Sequence, residues 1–154
     1  MRDCLATELP GLVERLRTEL GSTLVTVCLF GSQVERFQPD RDVDLIVVWE
    51  GAPERRRGRS ERIRAAARWV SPDLEAWLSP IVLTPEEARR FKPYYLGLLG
   101  CHLLLYDRGG FFAGVLDRLR ARLDELGARR LIDPDGYEYW DLAPDWQPGD
   151  EVIV

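Results

Sequence analysis

The 154-residue sequence is poor in several features, and each shortage argues against a class of protein. No apolar run approaches the ~20 residues of a membrane-spanning helix, and the N-terminus does not resemble a signal peptide, so we expect a cytoplasmic protein. Lys92 is the only lysine, and no segment matches a P-loop or a dinucleotide-binding fingerprint. The three cysteines are Cys4, Cys28 and Cys101; they lack metal-ligand spacing and are interpreted as reduced thiols.

The charge and the other rare residues argue for or against further classes of protein and site. The net charge of −5 argues against a general nucleic-acid binder, because phosphate contacts need a basic face. Asparagine is absent, which fits either a heat-adapted source or a G+C-rich genome. His102 is the only histidine, and the apolar run beside it indicates a structural residue rather than a catalytic base. A length of 154 residues predicts one domain covering 1–154.

The apolar patterns predict an α/β fold, in which helices flank a small mixed β-sheet. Leucines at helical spacing indicate a first helix that ends near Gly21, and a basic helix is predicted to end near Val70. Thr84 is predicted to cap a helix, and a short helix is predicted around 94–99. From about residue 111 we expect a C-terminal helix, a hairpin and a tail. The predicted strands of the sheet are Leu24–Phe30, Val43–Trp49 and roughly Leu74–Leu83.

Two carboxylates stand at the start of the second predicted strand. Asp42 and Asp44 alternate with Val43, so they share one face of the strand and lie ~7 Å apart along it. The residues that follow are apolar on both faces, as in a covered central strand. Two like charges beside such a core repel each other and lose solvation, so a divalent cation such as Mg²⁺ is the expected partner.

Gly31 and Ser32 follow the first predicted strand directly. Glycine allows a tight turn and a close approach of the backbone to a ligand. Serine at a helix start leaves N–H groups that can hold an anion. A phosphate-holding turn beside a metal-holding carboxylate pair is the combination that phosphoryl or nucleotidyl transfer requires.

The stretch from Val27 to Val48, which contains FGSQVERFQPDRDVDLIVV, resembles the signature of the DNA polymerase beta-type nucleotidyltransferases. The short chain most resembles the minimal nucleotidyltransferases of prokaryotes. This resemblance implies that Gly31 and Ser32 hold a triphosphate and that Asp42 and Asp44 bind two Mg²⁺ ions. The arginine that usually follows the Gly-Ser pair is displaced here, and Arg36 is the candidate to replace it.

The resemblance also implies a third acid on the strand beside the Asp-x-Asp strand. Within DLEAWLSPIVL, alternation places Glu75 and Ser79 on one face of the predicted strand. Ser79 stands at the usual distance from the strand end, but a serine is a poor Mg²⁺ ligand. Glu75 is therefore named as the third catalytic acid, and a two-carboxylate site that transfers slowly is the alternative.

The predicted reaction is transfer of a nucleotidyl group, AMP from Mg-ATP, to a hydroxyl acceptor. The resemblance implies as acceptor a tyrosine on a small helical toxin, with this chain as its antitoxin; transfer RNA and small hydroxylated antibiotics are the other classes. A weak or inactive nucleotide-binding antitoxin that neutralises its partner by contact is the alternative, and the partner can also be a second copy. Seven arginines could contact RNA or form a solvated helix face: Arg55, Arg56, Arg57, Arg59, Arg62, Arg64 and Arg68.

Overall fold

The computed structural model describes residues 2–35 and 42–154. Side chains are described for residues 7–34 and 42–154. The helices are α1 Arg2–Leu20, α2 Ser32–Glu35, α3 Arg56–Val70, α4 Pro72–Trp77, α5 Pro85–Arg89, α6 Tyr95–Leu98 and α7 Phe111–Glu125. The strands are β1 Leu24–Phe30, β2 Val43–Trp49, β3 Leu78–Leu83, β4 His102–Asp107, β5 Arg129–Ile132 and β6 Glu138–Asp141. Short 3₁₀ turns lie at Gly21–Thr23 and Arg108–Gly110.

Four strands form one mixed sheet in the order β3-β2-β1-β4. β1 runs antiparallel to both β2 and β4, whereas β2 and β3 are parallel and are joined through α3 and α4. This arrangement confirms the predicted α/β fold with a small mixed sheet. Pro80 lies on β3 at the sheet edge, where its missing N–H costs no ladder hydrogen bond.

Helices cover both faces of this sheet, so the central strands are apolar on each side. In β2, Leu45 and Val47 pack with residues of α1, α3 and α4 in one core cluster. Ile46 and Val48 pack with residues of α5, α6 and α7 in the second cluster. Period-2 alternation thus divides a continuous apolar run between two cores, as expected for a buried strand.

The third strand is shorter than predicted. Residues 72–77 form helix α4, and β3 begins only at Leu78, so the prediction of a strand from Leu74 was wrong. Ser71 caps α4, accepting from the N–H of Leu74 at 3.3 Å, and Pro72 occupies the first turn. Leu74 is buried against the first core cluster, which holds the short helix against α3.

The C-terminal part of the chain contains helix α7 and the antiparallel pair β5–β6. The apolar run at 102–107 forms β4, the other edge of the sheet. Asp107 ends β4, accepting from the N–H groups of Phe112 and Ala113 in the first turn of α7 and from the hydroxyl of Thr26. Among the described residues, no helix is both long and apolar enough to cross a membrane.

Candidate active site

Four side chains lie side by side across the ends of the four strands, and we call them the strand-end row. Ser79 of β3 pairs with Asp44 of β2, Asp44 pairs with Phe30 of β1, and Phe30 pairs with His102 of β4. Paired positions of neighbouring strands point to the same side of a sheet. Phe30 packs on the second core cluster, so the row faces the side of the sheet that carries α5, α6 and α7.

The two predicted metal ligands stand at this edge of the sheet. Asp42 is exposed just before β2, and Asp44 is partly buried as the second residue of the strand. Burial raises the pKa of Asp44 above its ordinary value, and the nearby negative charge of Asp42 raises it further; a hydrogen bond with Ser79 opposes both effects. The pair therefore has the electrostatic character of a cation site, because a bound cation would relieve both penalties.

Gly31 follows Phe30 and approaches Asp44 more closely than any other residue type could. Its φ is +76°, and a Cβ built there would lie 2.8 Å from Oδ2 of Asp44. Ser32 then begins α2, and the N–H of Val34 donates to the Gly31 carbonyl at 3.2 Å. The structure thus brings the predicted phosphate-holding turn beside the predicted metal ligands, whereas Arg36 lies outside the described residues.

Glu75 is not in the predicted position. It lies on α4 rather than on β3, and its carboxylate accepts two hydrogen bonds from Arg68 of α3, one of 2.7 Å. These bonds lower the pKa of Glu75. Because α3 and α4 cover the face opposite to the strand-end row, this geometry does not support Glu75 as a ligand beside Asp44.

Ser79 lies across from Asp44, at the position where the family resemblance implies a third acid. Among residues 2–35 and 42–154, no cluster of three or more His, Cys, Asp or Glu side chains could hold a metal ion. Two carboxylates still fit Mg²⁺, because this ion usually keeps several waters and takes one or two carboxylates together with substrate phosphates. Among the described residues, Asp42 and Asp44 are therefore the carboxylates that this edge of the sheet offers to the ion.

Tyr94 packs beside the strand-end row. The rings of Phe30 and Tyr94 are stacked, with centroids 6.4 Å apart and planes 21° apart. Burial raises the pKa of Tyr94 to about 12, so its phenol stays protonated at neutral pH. Sequence reasoning placed neither Phe30 nor His102 at the site. Phe30 comes opposite Asp44 through the pairing of β1 with β2, and His102 joins the row through the pairing of β4 with β1.

The arginine run of α3 is largely satisfied within the protein. Arg57, Arg59, Arg62 and Arg68 form ion pairs with glutamates. The guanidinium of Arg64 also donates to the backbone carbonyl of Glu75 at 3.3 Å. These contacts favour a solvated, internally paired helix face over a surface for RNA phosphates.

The chain has a relative among known proteins. No family model matches the chain. A protein of Methanocaldococcus jannaschii, named "Putative protein adenylyltransferase MJ1305", is 26% identical over 134 residues, which cover 85% of this chain and 89% of that protein. This chain resembles the minimal nucleotidyltransferases.

Two solved structures also align with most of the chain. A toxin–antitoxin structure with AMP-PNP is 14% identical, with a TM-score of 0.49, over 79% of this chain and 93% of that one. A chain in a structure of the tri-AMPylated HEPN toxin of Shewanella oneidensis in complex with MNT antitoxin is 14% identical, with a TM-score of 0.48, over 79% of this chain and 92% of that one.

Proposed function

We propose that the protein is a metal-dependent nucleotidyltransferase that moves AMP from ATP to a hydroxyl group of a partner protein. The observation that carries this proposal is the closeness of the Gly31 turn to Asp44, with room for no Cβ between them. Such a close approach suits a backbone that must contact a phosphate beside a carboxylate-bound cation. The name of the M. jannaschii relative supports AMP as the group and a protein as the acceptor.

Each residue has a proposed task. Asp42 and Asp44 hold Mg²⁺, which when bound supplies charge neutralisation at the reacting phosphate. Gly31 and Ser32 hold the triphosphate through their N–H groups, with Arg36 as a further contact. The acceptor oxygen forms a bond to the α-phosphorus, the bond from that phosphorus to the bridging oxygen breaks, and pyrophosphate leaves while the hydroxyl proton passes to solvent.

The proposed acceptor is a tyrosine of a small helical toxin, as the family resemblance implies. A second candidate function is a slow or inactive antitoxin that binds nucleotide and neutralises its partner by contact. The observation that favours this alternative is Ser79, a neutral side chain across from Asp44 where a third acid would complete the site. The two candidates differ in whether ATP is consumed.

The test is transfer of label from ATP labelled at the α-phosphate, with Mg²⁺, to proteins of the native host or to a co-expressed small helical toxin. We expect a labelled protein band that disappears with a chelator and falls on the order of 10²-fold or more in Asp42→Asn and Asp44→Asn. Label at the wild-type rate in either variant would falsify the assignment. Nucleotide binding without any labelled product would favour the contact antitoxin.

A further inference from the structure

His102 was expected to be structural, yet it stands in the strand-end row on the face that carries Asp44. Neighbouring strands are ~4.8 Å apart, so two strand spacings separate the backbones of Asp44 and His102 by ~10 Å. Phe30 lies between them, and Gly31 follows Phe30 directly. The histidine is therefore on the far side of the proposed phosphate turn from the carboxylate pair.

One ring nitrogen of His102 is already assigned. Nδ1 lies 2.7 Å from the carbonyl oxygen of Leu98 in α6. A carbonyl only accepts, so Nδ1 carries its proton and donates to Leu98. Nε2, on the opposite side of the ring, takes no part in this hydrogen bond; it carries an N–H when the imidazole is protonated.

The direction of the nucleotide follows from the proposed reaction, on which this inference rests. Asp42 and Asp44 would hold the cation that neutralises the reacting phosphate, so the α-phosphate would lie beside this carboxylate pair. A triphosphate that also contacts Gly31 and Ser32 then extends from β2 towards β1 and β4. Along that path the β- and γ-phosphates would reach the side of the row where His102 lies opposite Phe30.

Charge favours His102 for this contact. Within the strand-end row, it is the only side chain that can be positive, since the others are a serine, an aspartate and a phenylalanine. Lys92 is committed elsewhere, because its Nζ donates to the backbone carbonyls of Glu87 at 2.6 Å and Arg90 at 3.3 Å. A cation aimed at the leaving phosphates stabilises the charge that develops as the bond breaks.

We propose that His102 binds the β- and γ-phosphates of the nucleotide through Nε2 and so holds the pyrophosphate that leaves. Two conservative substitutions separate this role from a structural one. The amide of asparagine reaches the place of Nδ1 and can keep the Leu98 contact, whereas the amide of glutamine reaches the place of Nε2. His102→Asn therefore removes the phosphate contact, and His102→Gln retains a neutral version of it.

The experiment measures the binding of three probes by calorimetry in the presence of Mg²⁺: a non-hydrolysable ATP analogue, inorganic pyrophosphate and AMP. We expect His102→Asn to weaken the ATP analogue and pyrophosphate about 10- to 100-fold, the usual effect of losing a charge-assisted hydrogen bond. AMP, which lacks the β- and γ-phosphates, should bind equally to wild type and variant. His102→Gln should lose less than His102→Asn. Leu103→Ala, on the opposite face of β4 and half exposed, is the matched control and should bind all three probes like wild type.

Each outcome separates the two proposals. A structural role predicts the reverse order, with His102→Gln more impaired and less stable because it loses the Leu98 contact; that result, or equal loss of AMP and pyrophosphate binding, overturns the inference. Wild-type binding of pyrophosphate by His102→Asn also overturns it and leaves the proposed function intact. A wild-type protein that binds neither the ATP analogue nor pyrophosphate contradicts the proposed function itself.

Discussion

Gly31→Ala tests the central feature of the site, the contact between the turn and the carboxylate. The substitution forces an alanine to φ +76° and places its Cβ 2.8 Å from Oδ2 of Asp44. The left-handed backbone costs about 1–2 kcal/mol. Moving the carboxylate off its rotamer or away from Ser79 adds about 1–2 kcal/mol. We expect a loss of about 2–4 kcal/mol in the free energy of unfolding, together with loss of nucleotide binding.

Gly51→Ala is the matched control. Gly51 has φ +70°, and a Cβ there would meet no atom within 4 Å, so this variant carries the backbone strain alone. Urea unfolding of both variants isolates the contact term, which should appear as a difference of about 1–2 kcal/mol. Gly51→Ala should also transfer nucleotide at the wild-type rate.

A double-mutant cycle identifies the carboxylate as the cause. The Cβ of Asp44 lies 3.7 Å from the built Cβ, an ordinary contact, so only the carboxylate end is too close. In an Asp44→Ala background, Gly31→Ala should therefore cost no more than Gly51→Ala does, giving a coupling of about 1–2 kcal/mol. Equal costs of the two glycine substitutions in the wild-type background would refute the reasoning.

Two further predictions concern stability. Asp44→Asn should stabilise the metal-free protein at neutral pH, because burial and the charge of Asp42 raise the pKa of Asp44 and so disfavour its ionised form in the folded state. Thermal melts across pH should show this gain disappearing below the ordinary carboxyl pKa of 3.8, where both states are protonated; a gain that persists there contradicts the electrostatic cause. Asp107→Ala should cost about 2–3 kcal/mol in urea unfolding, since it leaves the first N–H groups of α7 and the buried Thr26 hydroxyl without their acceptor. Thr26→Val removes one of these bonds and should cost less.

Helix α4 shows how a local signal in the sequence can be misread. Ser71, Pro72 and Asp73 are a helix cap, a proline in the first turn and an acid near the helix start. Thr84, Pro85 and Glu86 carry the same signal and were correctly interpreted as a helix start. At α4 the apolar residues that follow also fit a strand, so periodicity over a short run could not decide between the two structures.

The candidate site could be predicted only in part. Asp42, Asp44 and Gly31 were found because each lies beside an apolar strand, so a local pattern reports them. Around His102 the sequence shows only the apolar strand that this residue begins. Its place beside Phe30 depends on β4 pairing with the free edge of β1. That pairing links residues about seventy positions apart, and no periodicity within one segment carries this information.

Ser79 stands at the strand position where the family resemblance implies a third acid. Its position across a parallel register from Asp44 means that Ser79→Asp would add a carboxylate beside the pair, while Glu75→Gln would change only the contact of Glu75 with Arg68.

Without Mg²⁺ the extra like charge of Ser79→Asp should lower the melting temperature, and with Mg²⁺ the loss should reverse, because the cation gains a third ligand. Transfer of label to the partner should then be faster than in wild type, and Glu75→Gln should match wild type. Ser79→Ala, which removes the hydroxyl without adding charge, controls for the loss of its hydrogen bond to Asp44. A large fall in rate in Glu75→Gln with unchanged ATP affinity would contradict this assignment, since it would require α4 to present Glu75 at the face that the row occupies.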